Sequence, residues 1–339
     1  MDHSGRYQNR KYIYLTLLFL FLLLSGIVIA VCVGKYSVTP LESLRILLGV
    51  SGDSSEMTVN VVMKLRLPRI LASLLVGAAL SVSGSVYQGV FKNPLVSPDY
   101  LGISSGACIG AAIGILLSLS TAMISLFAFA GGVAAMLLTM SLPLLLRNTA
   151  NIMLVLSGVI VGAAMSSVLG FIKYAADPET QLVSIIYWMM GSFSYVTSGE
   201  LLVIFPIIAA SMAVLFGMSW WIDVLSMGEK DARTLGANVA LVRGISLGCA
   251  TLLTAVSVCV AGTIGWIGLI IPHIGRLLVG PVNKRLLPLA AVMGGLFLLL
   301  VDTLTRTVSA AEMPVSILTG VLGVPFYCWL LYKQRKALL

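Results

Sequence analysis

The run Tyr12-Ile-Tyr-Leu-Thr-Leu-Leu-Phe-Leu-Phe-Leu-Leu-Leu-Ser-Gly-Ile-Val-Ile-Ala-Val-Cys-Val33 holds 22 residues without one charged side chain. A helix that crosses a bilayer needs about 20 mostly apolar residues, so this run is long enough to span. It exceeds the apolar core of a secretory signal, and no Ala-x-Ala-like cleavage site follows it. It reads as a retained first span. Arg6, Arg10 and Lys11 stand in front of it and place the N-terminus in the cytoplasm by the positive-inside bias.

Runs of the same kind recur to the end of the 339 residues, of which 59% are apolar and 10% charged. Mean hydropathy is +1.04. A soluble domain carries about 25% charged residues, so lipid is the solvent for most of this chain. The apolar runs are long and continuous, which excludes the short alternating segments of an outer-membrane barrel. The reading is an all-α polytopic membrane protein of ten helices, forming a single domain over residues 1–339. The spans fall near 12–33, 66–89, 95–117, 121–146, 151–173, 199–219, 241–262, a short broken segment 264–280, 286–307 and 314–332. An even number returns the C-terminus, with Lys333, Arg335 and Lys336, to the cytoplasm.

Charge placement supports this layout. Fourteen of the 21 Lys and Arg fall on the cytoplasmic side, as the positive-inside bias requires. The net charge of +8 is thereby a property of inner loops, not of a nucleic-acid surface. The seven outside are Lys35, Arg45, Lys64, Arg66, Arg69, Lys173 and Arg306; Lys64, Arg66 and Arg69 cluster against the bias. All five cysteines lie in apolar segments without a CxxC pattern and read as small core hydrophobes. Gly102, Gly106, Gly110 and Gly114 recur every fourth residue, giving the third span one small-residue face for close helix packing. At an offset of 178, Gly84 aligns with Gly262 and Pro94 with Pro272, which suggests an inverted repeat.

There is no Walker A sequence and no HExxH, and only two histidines, so neither a nucleotide cradle nor a metal-dependent protease is supported. The polar stretch Ser226-Met-Gly-Glu-Lys-Asp-Ala-Arg-Thr-Leu-Gly236 interrupts the spans on the cytoplasmic side. Ser226 and Glu229 have the spacing of a capping box, and Gly236 suits the left-handed residue that closes a helix. Such a helix lies outside the bilayer and is either a connector or a docking element. Gly262-Thr-Ile-Gly-Trp-Ile-Gly-Leu-Ile-Ile-Pro-His-Ile-Gly-Arg276 breaks a span, as is tolerated where backbone lines a cavity. His273 and Arg276 share a face there, at a gate or at the interfacial end of a short helix. Asp302 and Arg306 stand one turn apart, as a local ion pair or as part of a basic outer rim.

Several stretches together resemble one family. They are Leu65-Arg-Leu-Pro-Arg69, Asn93-Pro-Leu-Val-Ser-Pro-Asp-Tyr-Leu-Gly-Ile-Ser-Ser-Gly106 and Tyr187-Trp-Met-Met-Gly-Ser192. Gly228-Glu229, Ala232-Arg233, Leu235-Gly236, Gly265-Trp-Ile-Gly-Leu-Ile-Ile-Pro-His273, Met313-Pro314 and Gly323-Val-Pro-Phe326 follow in order. The chain from about residue 60 onward is similar to FecCD-type permeases of iron-complex (siderophore or haem) and cobalamin ABC importers. Trp266 stands where Phe is usual, and Tyr100 where an aliphatic residue is common.

The resemblance implies a type II importer permease in a bacterial or archaeal cytoplasmic (inner) membrane, multi-pass, that performs no covalent chemistry. Its implied partners are a second permease subunit, identical or related, two ATPase subunits that bind ATP and Mg, and an extracytoplasmic substrate-binding protein. By analogy, Gly228, Glu229, Ala232, Arg233, Leu235 and Gly236 belong to a coupling helix (about 226–237) that meets the ATPase. Arg66, Arg69 and Arg306 match positions that dock the binding protein at the outer mouth. Asn93 and Leu95, with Asn148 and Thr149, match a cytoplasmic gate. No catalytic residue, metal site or cofactor of the chain's own is implied. The expected cargo is a ferric siderophore or similar iron chelate, with haem or cobalamin as the alternatives within the family. From another class, an ion-coupled secondary transporter predicts an acidic residue within the membrane, which only Asp302 approaches.

Overall fold

In lipid a backbone finds partners only within its own helix, and each predicted span contains a helix. The structure, a computed structural model, describes residues 3–50, 54–147, 151–308 and 312–338. The helices are α1 (His3–Cys32), α2 (Pro40–Leu47), α3 (Glu56–Asn60), α4 (Leu67–Phe91), α5 (Ile103–Leu116), α6 (Thr121–Leu145), α7 (Asn151–Ala175) and α8 (Gln181–Met190). There follow α9 (Ser198–Gly217), α10 (Ser219–Met227), α11 (Glu229–Thr234), α12 (Val239–Ala261), α13 (Ile267–Val279), α14 (Asn283–Thr305) and α15 (Val315–Leu338). Among the described residues, seven helical stretches are long and apolar enough to cross a membrane, while α5, α8, α13 and the apolar part of α15 are shorter.

Burial separates the spans into two layers. Between two-thirds and four-fifths of the apolar window is buried in α4 (78%), α12 (67%) and α14 (72%), against 17% in α1 and 28% in α6, α7 and α9. The first three form the centre, and the others surround them. The central contact is polar as well as apolar: Ser83 Oγ and Thr254 Oγ1 stand 2.7 Å apart, as do Tyr87 OH and Thr251 Oγ1. Hydroxyl bonds of this kind hold helices together where lipid removes the hydrophobic drive between them. The glycine face of α5 packs on α6, where a Cβ at Gly110 would overlap the Phe127 carbonyl. Gly102 lies off that face, at positive φ where α5 begins.

Four differences from the sequence reading have physical causes. α8 was not anticipated, because ten residues span only about 15 Å and leave no membrane-length signal. α4 extends backward through a π-helical segment, Val61–Arg66, into α3, so one continuous helix runs over Glu56–Phe91. The offset of 178 does not pair equivalent positions: Gly84 is inside α4, whereas Gly262 follows α12, and Pro94 lies in a turn, whereas Pro272 is inside α13. The capping box is not formed either. Ser226 lies in the last turn of α10 and donates to the Asp223 carbonyl (2.6 Å), and α11 starts from Gly228 with no side-chain cap.

Candidate functional site

The residues singled out by sequence gather at two ends of the bundle. At one end the π-helical segment delivers Arg66 inward, and the first turn of α4 delivers Arg69. Arg66 donates to the carbonyls of Val31, Cys32 and Tyr36, tying α1 and the following turn to α4. Arg69 Nε lies 2.9 and 3.0 Å from the two carboxylate oxygens of Asp302. Its Nη1 reaches Glu312 Oε2 at 2.8 Å and Ser194 Oγ at 3.2 Å. Arg306 Nε stands 3.8 Å from Asp302 Oδ2, and its Nη2 donates to the Ala30 carbonyl at 2.6 Å. Asp302 is fully buried, and Arg66, Arg69 and Arg306 are 5–7% exposed.

The structure therefore brings Arg69 and Arg306 together around one carboxylate and places Arg66 nearby, bonded to the end of α1. In this conformation all three guanidiniums are turned inward and bonded within the chain, not offered as a basic rim. Removing one partner of such a buried set leaves an uncompensated charge. Glu312 reaches the surface. Partial burial pushes its carboxyl up, but bonds from Ser194 and Arg69 and the charges of Arg69 and Lys35 hold it below the usual carboxylate range.

At the other end, α11 stands apart. Gly228 sits at φ +141 and Gly236 at φ +83, positive values that favour glycine, and these two bracket the helix. Ala232 is its buried foot, packed in a small cluster with Val224, Leu225, Ala237, Val239 and Val242. Glu229 bonds Arg243 of α12. Arg233, Leu235 and Gly236 are exposed, so the six residues of the expected coupling element form one ridge with a single buried side chain.

This ridge lies beside Lys92, the residue before the expected gate. A Cβ on Gly228 would come within 3.4 Å of Lys92 Nζ, and Lys92 ends α4 in the left-handed conformation (φ 53). Asn93 follows, its Oδ1 accepting from Leu95 N at 2.9 Å, and both residues are exposed. Asn148 and Thr149 lie outside the described residues.

Sequence reasoning missed two groups here. Asp223 of α10 accepts from Asn283 N (3.0 and 3.2 Å) and Nδ2 (2.7 Å), joining α10 to the first residue of α14. Burial raises its carboxyl above the usual range, partly offset by the Asn283 bonds. Asp99 stands before α5 in a small cavity with Leu80, Thr254 and Gly268, at the level of the middle of α4, and accepts from Ser104. Its signal was legible: it is a charged residue inside the predicted span 95–117. Trp266, at φ 74, packs against Gly323 and meets Tyr327 edge-on at 6.2 Å, fixing the break before α13 against α15.

Comparison with known proteins agrees with this arrangement. The profile of the FecCD transport family matches residues 21–333. A Helicobacter pylori protein that carries the name of an iron chelatin transport system permease protein is 41% identical over 275 residues, covering 81% of this chain and 83% of that one. The molybdate import system permease protein MolB of Haemophilus influenzae is 36% identical over 319 residues, covering 93% and 94%. Among solved structures, a metal-chelate type ABC transporter in an inward-facing conformation superposes with a TM-score of 0.85 at 34% identity, covering 94% of this chain and 98% of that one.

Proposed function

The chain belongs to the FecCD transport family as a polytopic inner-membrane permease subunit of an ABC importer, and on that premise we propose that its cargo is a ferric siderophore or similar iron chelate. The match to an iron chelatin permease over four-fifths of both chains is the observation that carries this reading. Relatives named for molybdate, hemin and cobalamin mark the alternatives.

In the proposed assembly residues 1–339 form one permease domain, paired with a second permease subunit, two ATPases and an extracytoplasmic binding protein. Both termini and the Gly228–Gly236 ridge face the cytoplasm. The ATPase grips α11 through Arg233 and Leu235, which are exposed, while Glu229 stays on Arg243 and braces the helix. Closure of the ATPase dimer shifts α11. The shift passes to α4 where Gly228 meets Lys92, next to Asn93 and Leu95, and to α14 through the Asp223–Asn283 bonds. Asn148 and Thr149 complete the gate. Arg66, Arg69 and Arg306 support the outer mouth from beneath, setting the position of Glu312 and Ser194 where the binding protein docks.

Uptake of a radio-iron chelate into cells carrying the complete importer tests the energy source. The proposal expects uptake to stop when ATP is depleted by arsenate and to persist when a protonophore collapses the proton gradient. The opposite pattern would make the chain an ion-coupled transporter, with Asp99 or Asp302 as the coupling acid.

A further inference from the structure

The Arg69 end of the bundle holds a cavity of about 730 Å³ whose interior the roles above leave unassigned, although Ser194 and Glu312 stand on its wall. It lies between the start of α6, α8 and the turn after it, the end of α12 and residues 312–314. Its wall carries three aromatic rings, Tyr187, Trp188 and Tyr195, and two carboxylates, Glu200 and Glu312, but, among the described residues, no Lys, Arg or His. Tyr187 and Tyr195 are 66% and 81% exposed, so their rings are open to a ligand.

We propose that this cavity receives the cargo and selects it by charge, taking a bulky ferric chelate that is uncharged or cationic and rejecting anionic chelates and bare oxyanions. The proposal rests on the importer reading and adds the charge class of the cargo. Size is the first argument. A volume of this order suits a whole organic ligand, with apolar surface and a few polar groups to orient it; a bare oxyanion would leave most of it empty. Aromatic faces cover the apolar parts of a chelate and attract a cation.

The polar atoms of the wall supply the second argument. The nearby cations are engaged behind it: Arg69 and Arg306 share Asp302, Arg69 also holds Glu312, and the charge of Lys35 acts on Glu312. What faces the cavity is therefore carboxylate, hydroxyl and ring. An anion that sheds its water here finds no cationic donor to replace it, which is costly. Among the described residues no three His, Cys, Asp or Glu converge on a metal, so the wall does not compete with a chelate for its iron.

The test is equilibrium retention of radio-iron chelates by the full chain in lipid nanodiscs, with three probes: cationic ferrioxamine B, uncharged ferrichrome and anionic ferric dicitrate. The first two are expected to be retained, and ferric dicitrate and molybdate neither to bind nor to compete. Glu200→Gln removes one charge yet keeps the start of α9, because Gln serves at that capping-box position as well as Glu. It should weaken ferrioxamine B roughly two- to fivefold and leave ferrichrome unchanged, and added salt should shrink the same difference. Ser125→Trp, which fills the cavity from α6, should abolish retention of both. Equal or tighter retention of ferric dicitrate, retention of none of the probes, or retention that survives Ser125→Trp would each overturn the proposal. Recovery of an ATPase with the chain is a separate measurement, so the importer reading stands or falls independently.

Discussion

The two ends of the bundle hold similar side chains in opposite ways. At the Arg69 end three arginines and two carboxylates are tied to one another and to backbone carbonyls, and Asp302 is sealed from solvent. At the Gly228 end Glu229 and Arg243 pair near the surface, while Lys230, Asp231 and Arg233 remain exposed. In sequence both are clusters of charge beside an apolar run. Depth makes the difference: charges within the helices must be neutralised inside the chain, whereas charges on a helix outside the bilayer are free to meet another protein. One end is built to hold its shape, and the other is the end we propose to be gripped.

The largest effect should come from breaking the sealed end. Asp302→Ala leaves Arg69 and Arg306 facing each other without their shared carboxylate, and should destabilise the fold by about 3–5 kcal/mol. Thermal unfolding in detergent would show this as a clearly lowered midpoint; an unchanged midpoint would mean the charges find water. Next, Asp223→Ala strips Asn283 of the acceptor for two donors, which should cost about 1–3 kcal/mol. Hydrogen exchange should rise at the start of α14 and stay level around Arg69, and a uniform rise would deny that Asp223 acts as a local joint.

A pH titration sharpens the contrast. Glu312 has a lowered carboxyl pKa, so its bonds to Arg69 and Ser194 are fully present above the ordinary Glu range. They are lost only as pH falls through the lowered value. Amide hydrogen exchange at residues 192–196 of the unaltered chain, corrected for its intrinsic pH dependence, should therefore stay slow down through the ordinary Glu range and rise below it. A rise at or above that range would contradict the assignment. The smallest effect on stability is at the open end, where Arg233→Glu should change unfolding by less than about 0.5 kcal/mol.

Much of this was legible in sequence, because uncharged runs of membrane length admit one local structure. The element Gly228–Gly236 was legible too, since a polar helix bracketed by glycines has no place in lipid. The direction in which Arg66, Arg69 and Arg306 point was not. A positive-inside count registers which side a residue is on and not how deep it lies, and the π-helical segment that turns Arg66 inward leaves no periodicity to read. Asp302 was visible as an i,i+4 partner of Arg306, but its closer bond is to Arg69, 233 residues away. The contact of Gly228 with Lys92, and the Asp223–Asn283 joint, likewise depend on tertiary packing that no local pattern encodes.

The central claim is that this chain is moved by a separate ATPase gripping the Gly228–Gly236 ridge. Purifying the tagged chain from its native membranes in mild detergent, followed by mass spectrometry of the proteins that accompany it, tests this most directly. The account predicts a P-loop ATPase that is recovered with the wild-type chain and lost with Arg233→Glu, while the variant remains folded. Recovery of the ATPase unchanged with Arg233→Glu and with Leu235→Asp would place the grip elsewhere and contradict the account.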